Sequence, residues 1–183
     1  MSCDITNGRL EACKDSISGL NAIYFINYGI APVDVTYDTP ANPDQIVAIA
    51  NVTDIYKYEL KGNNSLETTI VSSRENGTTY FDQTLTIQLK RQDPATHKNI
   101  KMLAYGRPHI IVHTRSNQWF MVGLLQGADV NAGTVSSGSA LGDFNGYSLT
   151  FLGQEMSPPN FIDTTDEVDL ATNVLGGATV HVS

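Results

Sequence analysis

The sequence predicts an antiparallel β-sandwich or small barrel flanked by one α-helix, and three observations predict it. Phe81, Leu85, Ile87 and Leu89 alternate with Asp82, Thr84, Thr86, Gln88 and Lys90, the period-two pattern of a sheet with one packed and one wet face. Arg74-Glu75-Asn76-Gly77 precedes that run, and Asn-Gly suits the type I′ turn of a hairpin. One segment alone carries helix signals at both ends. Asp93 stands as N-cap and Pro94 at the first helical position. Ile100, Leu103 and Ala104 form the apolar stripe, and Gly106 is placed to end the helix in a left-handed conformation.

The other elements follow in order. Residues 1–20 are polar and irregular and read as an N-terminal arm. Ala22 to Tyr28 is rich in β-branched and aromatic residues and reads as a strand. Gly29 to Asp44 holds Pro32, Pro40 and Pro43 and reads as a long loop, of the kind that is functional or docked on a partner. Ile46 to Ala50 is a weak strand. Ile55 to Leu60 is a clearer one, with Tyr56, Tyr58 and Leu60 on one face, and Leu66, Thr68 and Ile70 share a face in the next. Ile110 to Val112 is a strand after Pro108. Trp119 to Leu125 is apolar on both faces, so it is either central in a sandwich or covered by a neighbouring subunit. Gly127 to Asn145 reads as an extended loop or hairpin. Gly146 to Gly153 is a last strong strand, with Tyr147, Leu149 and Phe151 on one face, and Pro158-Pro159 stops it. Residues 162–183 read as an acidic, then Gly-rich arm, with a short helix around Thr165 to Thr172 as the alternative. The sum is about eight strands in one domain spanning 1–183.

Composition excludes several classes. A chain of 183 residues fits one domain and buries roughly 70% of its unfolded surface without staples. The longest apolar run has seven residues, against about 20 for a membrane-spanning helix. No basic region followed by an apolar stretch opens the chain, so no secretory signal is expected. Eleven Lys and Arg against nineteen Asp and Glu give −8, which offers no footprint for gripping a phosphate backbone. The charge is also uneven: all eleven cations lie within the first 115 positions, while Asp129, Asp143, Glu155, Asp163, Asp166, Glu167 and Asp169 follow. Such asymmetry suits head-to-tail contacts between copies, or else a solvated acidic tail.

No chemistry-bearing motif emerges. GxSxG, GxxxxGK[ST], HExxH and GxGxxG are all absent, so the expectation is not an enzyme, and no cofactor or metal is implied. Cys3 and Cys13 lack a CxxC spacing or a nearby His and read as reduced thiols. His109 and His113 share a strand face without further ligands and read as polar strand positions. The acids at 163, 166, 167 and 169 lack the glycine and ladder spacing of a calcium loop. The sequons at Asn51, Asn63 and Asn76 read as turn chemistry. Trp119-Phe120 reads as a buried core pair rather than a carbohydrate platform.

The order of elements, namely strands to Lys90, one capped helix from Asp93 to Tyr105, then more strands, resembles bacteriophage tail tube proteins and the related tubes of contractile injection machines. The closing segment Gly146 to Glu155 before Pro158-Pro159 is similar to the last strand of several phage tail proteins, and Met1 to Thr6 through Gly19 and Tyr24 resembles the start of phage structural proteins. The resemblance implies a virion protein made in the host cytoplasm: a ring, usually of six subunits, stacked into a tube through which DNA passes. It implies partnership with other tail proteins, without specific nucleic-acid or membrane binding. A negative wall suits a bore that conducts DNA without holding it. Glu59, Glu67 and Asp82, on strands with wet faces, are the candidate lumen-facing acids. Trp119, Phe120, Pro40 and Gly138 are the candidate subunit contacts. A tail terminator, a head–tail connector or a capsid decoration protein is the alternative within the virion, and a carbohydrate-binding or adhesive β-sandwich is the alternative of another class.

Overall fold

A computed structural model describes residues 8–11, 13–14 and 16–182. Cys3 and the opening Met1 to Thr6 lie outside the described residues. Two sheets carry the fold. The larger contains β1 (Leu20–Ile26), β2 (Val35–Asp38), β3 (Asn42–Ile49), β4 (Asp54–Glu59), β7 (His109–Thr114), β8 (Trp119–Val122), β11 (Asn160–Ile162) and β12 (Thr179–His181), in the order β12-β4-β1-β7-β8-β11-β3-β2. The smaller contains β5 (Ser65–Ser73), β6 (Thr78–Lys90), β9 (Asp129–Ser136) and β10 (Gly146–Glu155), in the order β5-β6-β10-β9. The helix α1 (Pro94–Leu103) follows β6, and a short α2 (Glu167–Asp169) runs into one wide turn at Leu170–Val174. The protein is mainly β, a sandwich with a flanking helix.

Alternation decides which face each strand buries. Ile23, Phe25, Ile110, Val112 and Val122 of the large sheet meet Leu85, Ile87, Leu149 and Phe151 of the small one in one core. The opposite parity, with Tyr24, Ile55, Ile111, Trp119 and Met121, joins Ile46 and Ile49 of β3 and Val35 of β2 in a second core. Strands from both ends of the large sheet share that second core, so the sheet curls around it. The expected dry and double-faced β8 is therefore central, buried on both sides of one chain.

Several expectations are corrected. Twelve strands form among the described residues, against about eight expected. Gly29 to Asp44 is not one long loop: Val35 and Tyr37 alternate across β2, which pairs with β3 as a hairpin. The Gly127 to Asn145 segment resolves into β9, paired along β10, and a turn. The Asn76-Gly77 hairpin forms with Gly77 at φ 62°, but Ser73 pairs with Thr78, so the connection is longer than a two-residue turn. The helix has its expected cap, with Asp93 Oδ1 accepting from the Ala95 and Thr96 N–H groups at 2.9 Å. Gly106 is not left-handed; its N–H instead donates to the Met102 and Leu103 carbonyls.

The largest correction concerns residues 162–183. This stretch is no arm. Leu170, Val174, Leu175 and Ala178 are buried in the second core, Ala171 is buried beside them, and β12 pairs parallel to β4. The segment plugs the curled sheet because its apolar positions fall on one stripe of a helical turn. Among the described residues before Leu20, by contrast, the chain is irregular and exposed.

Candidate functional site

The outer face of the small sheet is uncovered among the described residues and mostly polar. Register places Glu67, Thr69 and Val71 of β5, Tyr80, Asp82, Thr84, Thr86 and Gln88 of β6, Ser148, Thr150, Leu152 and Gln154 of β10, and Asp129, Ala132 and Thr134 of β9 on this face. Hydroxyls and amides dominate. Three carboxylates stand on it against a single cation, Lys90, at one margin. The Asp82 carboxylate accepts from Gln154 Nε2 at 2.9 Å, which ties neighbouring strands across the face.

Both edges of this sheet are open. β5 and β9 each lack a partner on one side among the described residues, and both are solvent-exposed for most of their length. Proteins normally blunt such edges with Lys, Pro or short strands. β5 and β9 run nine and eight residues, and neither contains Lys, Arg or Pro. The large sheet, by contrast, ends on short strands, β12 and β2, of three and four residues.

The sequence-predicted residues distribute unevenly over this geometry. Glu67 and Asp82 share the outer face of the small sheet. Glu59 does not: it lies on β4 of the other sheet, beside Lys57 and Glu167, so the three acids form no single wall. Trp119 is corrected outright. It is 2% exposed, stacked on His113 at 3.9 Å and tilted against Tyr24 at 5.6 Å, and so cannot meet another subunit or a sugar. Phe120 is half-buried against Phe161, 4.6 Å between centroids. Pro40 sits exposed in the β2–β3 turn. Gly138 is half-buried at φ 71°, and a Cβ there would come within 2.8 Å of Asp143 of the same loop, so its form is set by that loop.

Sequence reasoning missed three buried polar groups that hold the loop after β8. Gln83 accepts from the Gly123 N–H at 3.0 Å and donates to the Ser157 carbonyl. Glu155 accepts from the Leu125 and Gln126 N–H groups at 2.8 Å. His109 accepts at Nε2 from the Gly29 and Ile30 N–H groups, 3.2 and 3.3 Å, and donates from Nδ1 to the Gly123 carbonyl at 2.7 Å. The signal for Gln83 was available: it occupies an inward position between Phe81 and Leu85. Gly123 itself, at φ 65°, has no room for a Cβ, which would meet Gly127 C at 2.5 Å. Among the described residues no group of three or more His, Cys, Asp or Glu is placed to hold a metal, and no helix is long and apolar enough to cross a membrane.

His109 makes the fold acid-sensitive. Burial holds its imidazole below the ordinary range, outweighing the Gly123 carbonyl and the Glu155 carboxylate that favour the cation, and burial lowers His113 likewise. A proton on His109 Nε2 would face two N–H donors. The unfolded chain binds that proton near pH ~6.5, so the stabilisation is complete above that pH and is lost as pH falls below it toward the lowered folded value. Thermal melts are expected to decline from about pH 6.5 downward. His109→Gln, neutral throughout, is expected to be less stable at pH 8 and to show a flatter decline; an unchanged slope would refute this assignment.

Comparison of the chain with protein-family models, with curated proteins and with solved structures gives no match.

Proposed function

We propose that the protein is a structural subunit that polymerises through the edges of its small sheet into closed rings, stacked as a tube of the bacteriophage tail type, with DNA passing along the polar face. The observation that carries this reading is the pair of long, unguarded edges, β5 and β9, on opposite sides of one sheet. Pairing β5 of one copy with β9 of the next continues the sheet and removes both edges at once. The two edges differ, so the contact is head-to-tail and closes as a ring. With six copies, the number the resemblance implies, and the strand spacing and tilt usual for barrels, the wall is roughly 50 Å across its backbone, wide enough for a duplex. The face turned inward carries Glu67, Asp82 and Asp129 among hydroxyls and amides, with Val71, Tyr80 and Leu152 between them, and so repels a phosphate backbone without gripping it. Such a protein is built into a virion and needs no catalytic group or cofactor.

Electron microscopy of the purified chain tests the reading: rings or tubes support it, while a monomer at high concentration refutes it. A single ring that never stacks favours the terminator or connector role instead. Proline substitution at Thr68 and at Thr69 sharpens the test. Neighbouring N–H groups on a strand point to opposite sides, so one of the two prolines breaks the bond to β6 while the other removes a donor only from the open edge. The variant that keeps the wild-type melting temperature is expected to remain monomeric.

A further inference from the structure

We infer that the aromatic cavity beside α1 receives the acidic segment 163–169 of another copy of this chain, as the contact that joins one ring to the next. This inference rests on the ring reading above, because a tube needs a second contact besides lateral edge pairing. The cavity, about 360 Å³, lies between α1 and the large sheet and is lined by Phe25, Tyr28, Tyr56, Tyr58, Met102 and Arg107, among others. No carboxylate lines it. Arg107 has no ion pair among the described residues, and its guanidinium is held 4.4 Å from the Tyr28 ring centre. His109 stacks on Tyr28 as well, which fixes the ring. Met102, which lines it, is exposed, and Lys98, Lys101 and Tyr105 are exposed elsewhere on the same helical segment. Tyr, Met and Arg are the residues enriched in interface cores. A basic aromatic surface on a chain of charge −8 asks for a partner offering an apolar side chain among carboxylates.

The chain itself carries that partner. Val168 is 70% exposed and stands among Asp163, Asp166 and Asp169. The segment is already ordered: Asp166 Oδ1 accepts from the Asp169 N–H at 2.8 Å, Asp169 accepts from Thr164, Thr165 and Asn173, and Glu167 is tied to Lys57 and Tyr24. Docking it therefore costs little conformational entropy. Cavity and knob are different surfaces, so their contact is head-to-tail and closes no two-fold pair; with rings already closed by edge pairing, it is left to join one ring to the next.

Val168→Arg, Arg107→Glu and the double variant Lys98→Glu/Lys101→Glu test this in the full chain, by electron microscopy and sedimentation over a salt series. The expected result is rings that fail to stack, with ring–ring association weakened about tenfold or more, and wild-type stacking that declines with salt. Tubes of undiminished length in Val168→Arg and in Arg107→Glu would overturn the inference while leaving edge pairing intact. If the wild type forms no rings, edge pairing fails. The inference is then judged on self-association alone: salt-sensitive association lost in Val168→Arg supports it, and equal association of wild type and variant overturns it.

Discussion

Deleting residues 166–183 is expected to abolish the cooperative fold. The segment reads in sequence as an arm or a short terminal helix, and it supplies Leu170, Val174 and Leu175, all buried, to the second core. Each such side chain contributes about 1.5–3 kcal/mol on burial, so the three approach the whole stability of a domain, about 5–15 kcal/mol. Deletion also strips cover from Tyr24, Ile55 and Trp119, and it removes β12 from β4, leaving the large sheet with a longer open edge. The carboxylate of Glu167 goes too. Burial alone would raise it, but hydrogen bonds from Lys57 and Tyr24 outweigh burial and hold it below the usual range. Trp119 is the one tryptophan, so its emission reports the event. The truncated chain is expected to show red-shifted emission and no sharp thermal transition. A cooperative melt with unshifted emission would show that the plug is dispensable.

Phe151→Ala is expected to cost about 3–5 kcal/mol, a fall in melting temperature of roughly 6–20 °C for a domain of this size. Phe151 is fully buried between the two sheets. Its ring lies 5.4 Å from that of Phe25, which in turn meets Tyr58 edge-on at 5.2 Å. The void left by the ring cannot close, because both its walls are hydrogen-bonded sheet. Ile70→Ala is the control. Ile70 has the same inward register on the small sheet but is 65% exposed, so its loss is expected to change stability by less than about 0.5 kcal/mol. Denaturant titrations of both variants check the pair. Similar losses would mean that the small sheet does not pack on the large one as described.

Much of the fold was legible in the sequence because it is local. Period-two alternation along β6 and β10, the cap at Asp93 and the turn at Asn76-Gly77 each need only a few neighbouring residues, and each formed where its pattern lay. Glu67 and Asp82 were likewise readable as wet-face residues, since a strand assigns its faces by parity alone. The acidity, the confinement of every cation to the first 115 positions and the lack of a catalytic motif also belong to the sequence by itself.

What tertiary structure decided is what depends on distant partners. Parity says that Glu59 points away from Tyr58, but not that its face belongs to another sheet. The parallel pairings of β11 with β3 and β12 with β4 join residues more than a hundred positions apart, and no local pattern specifies them. Residues 165–172 were readable as a short helix, but only the curled sheet supplies the cavity that makes Leu170, Val174, Leu175 and Ala178 a plug instead of a tail. Trp119 shows the same rule at a single residue. An aromatic side chain is equally suited to a core and to an interface, and the position of β8 in the middle of the large sheet, with apolar layers on both its faces, is what turned it inward.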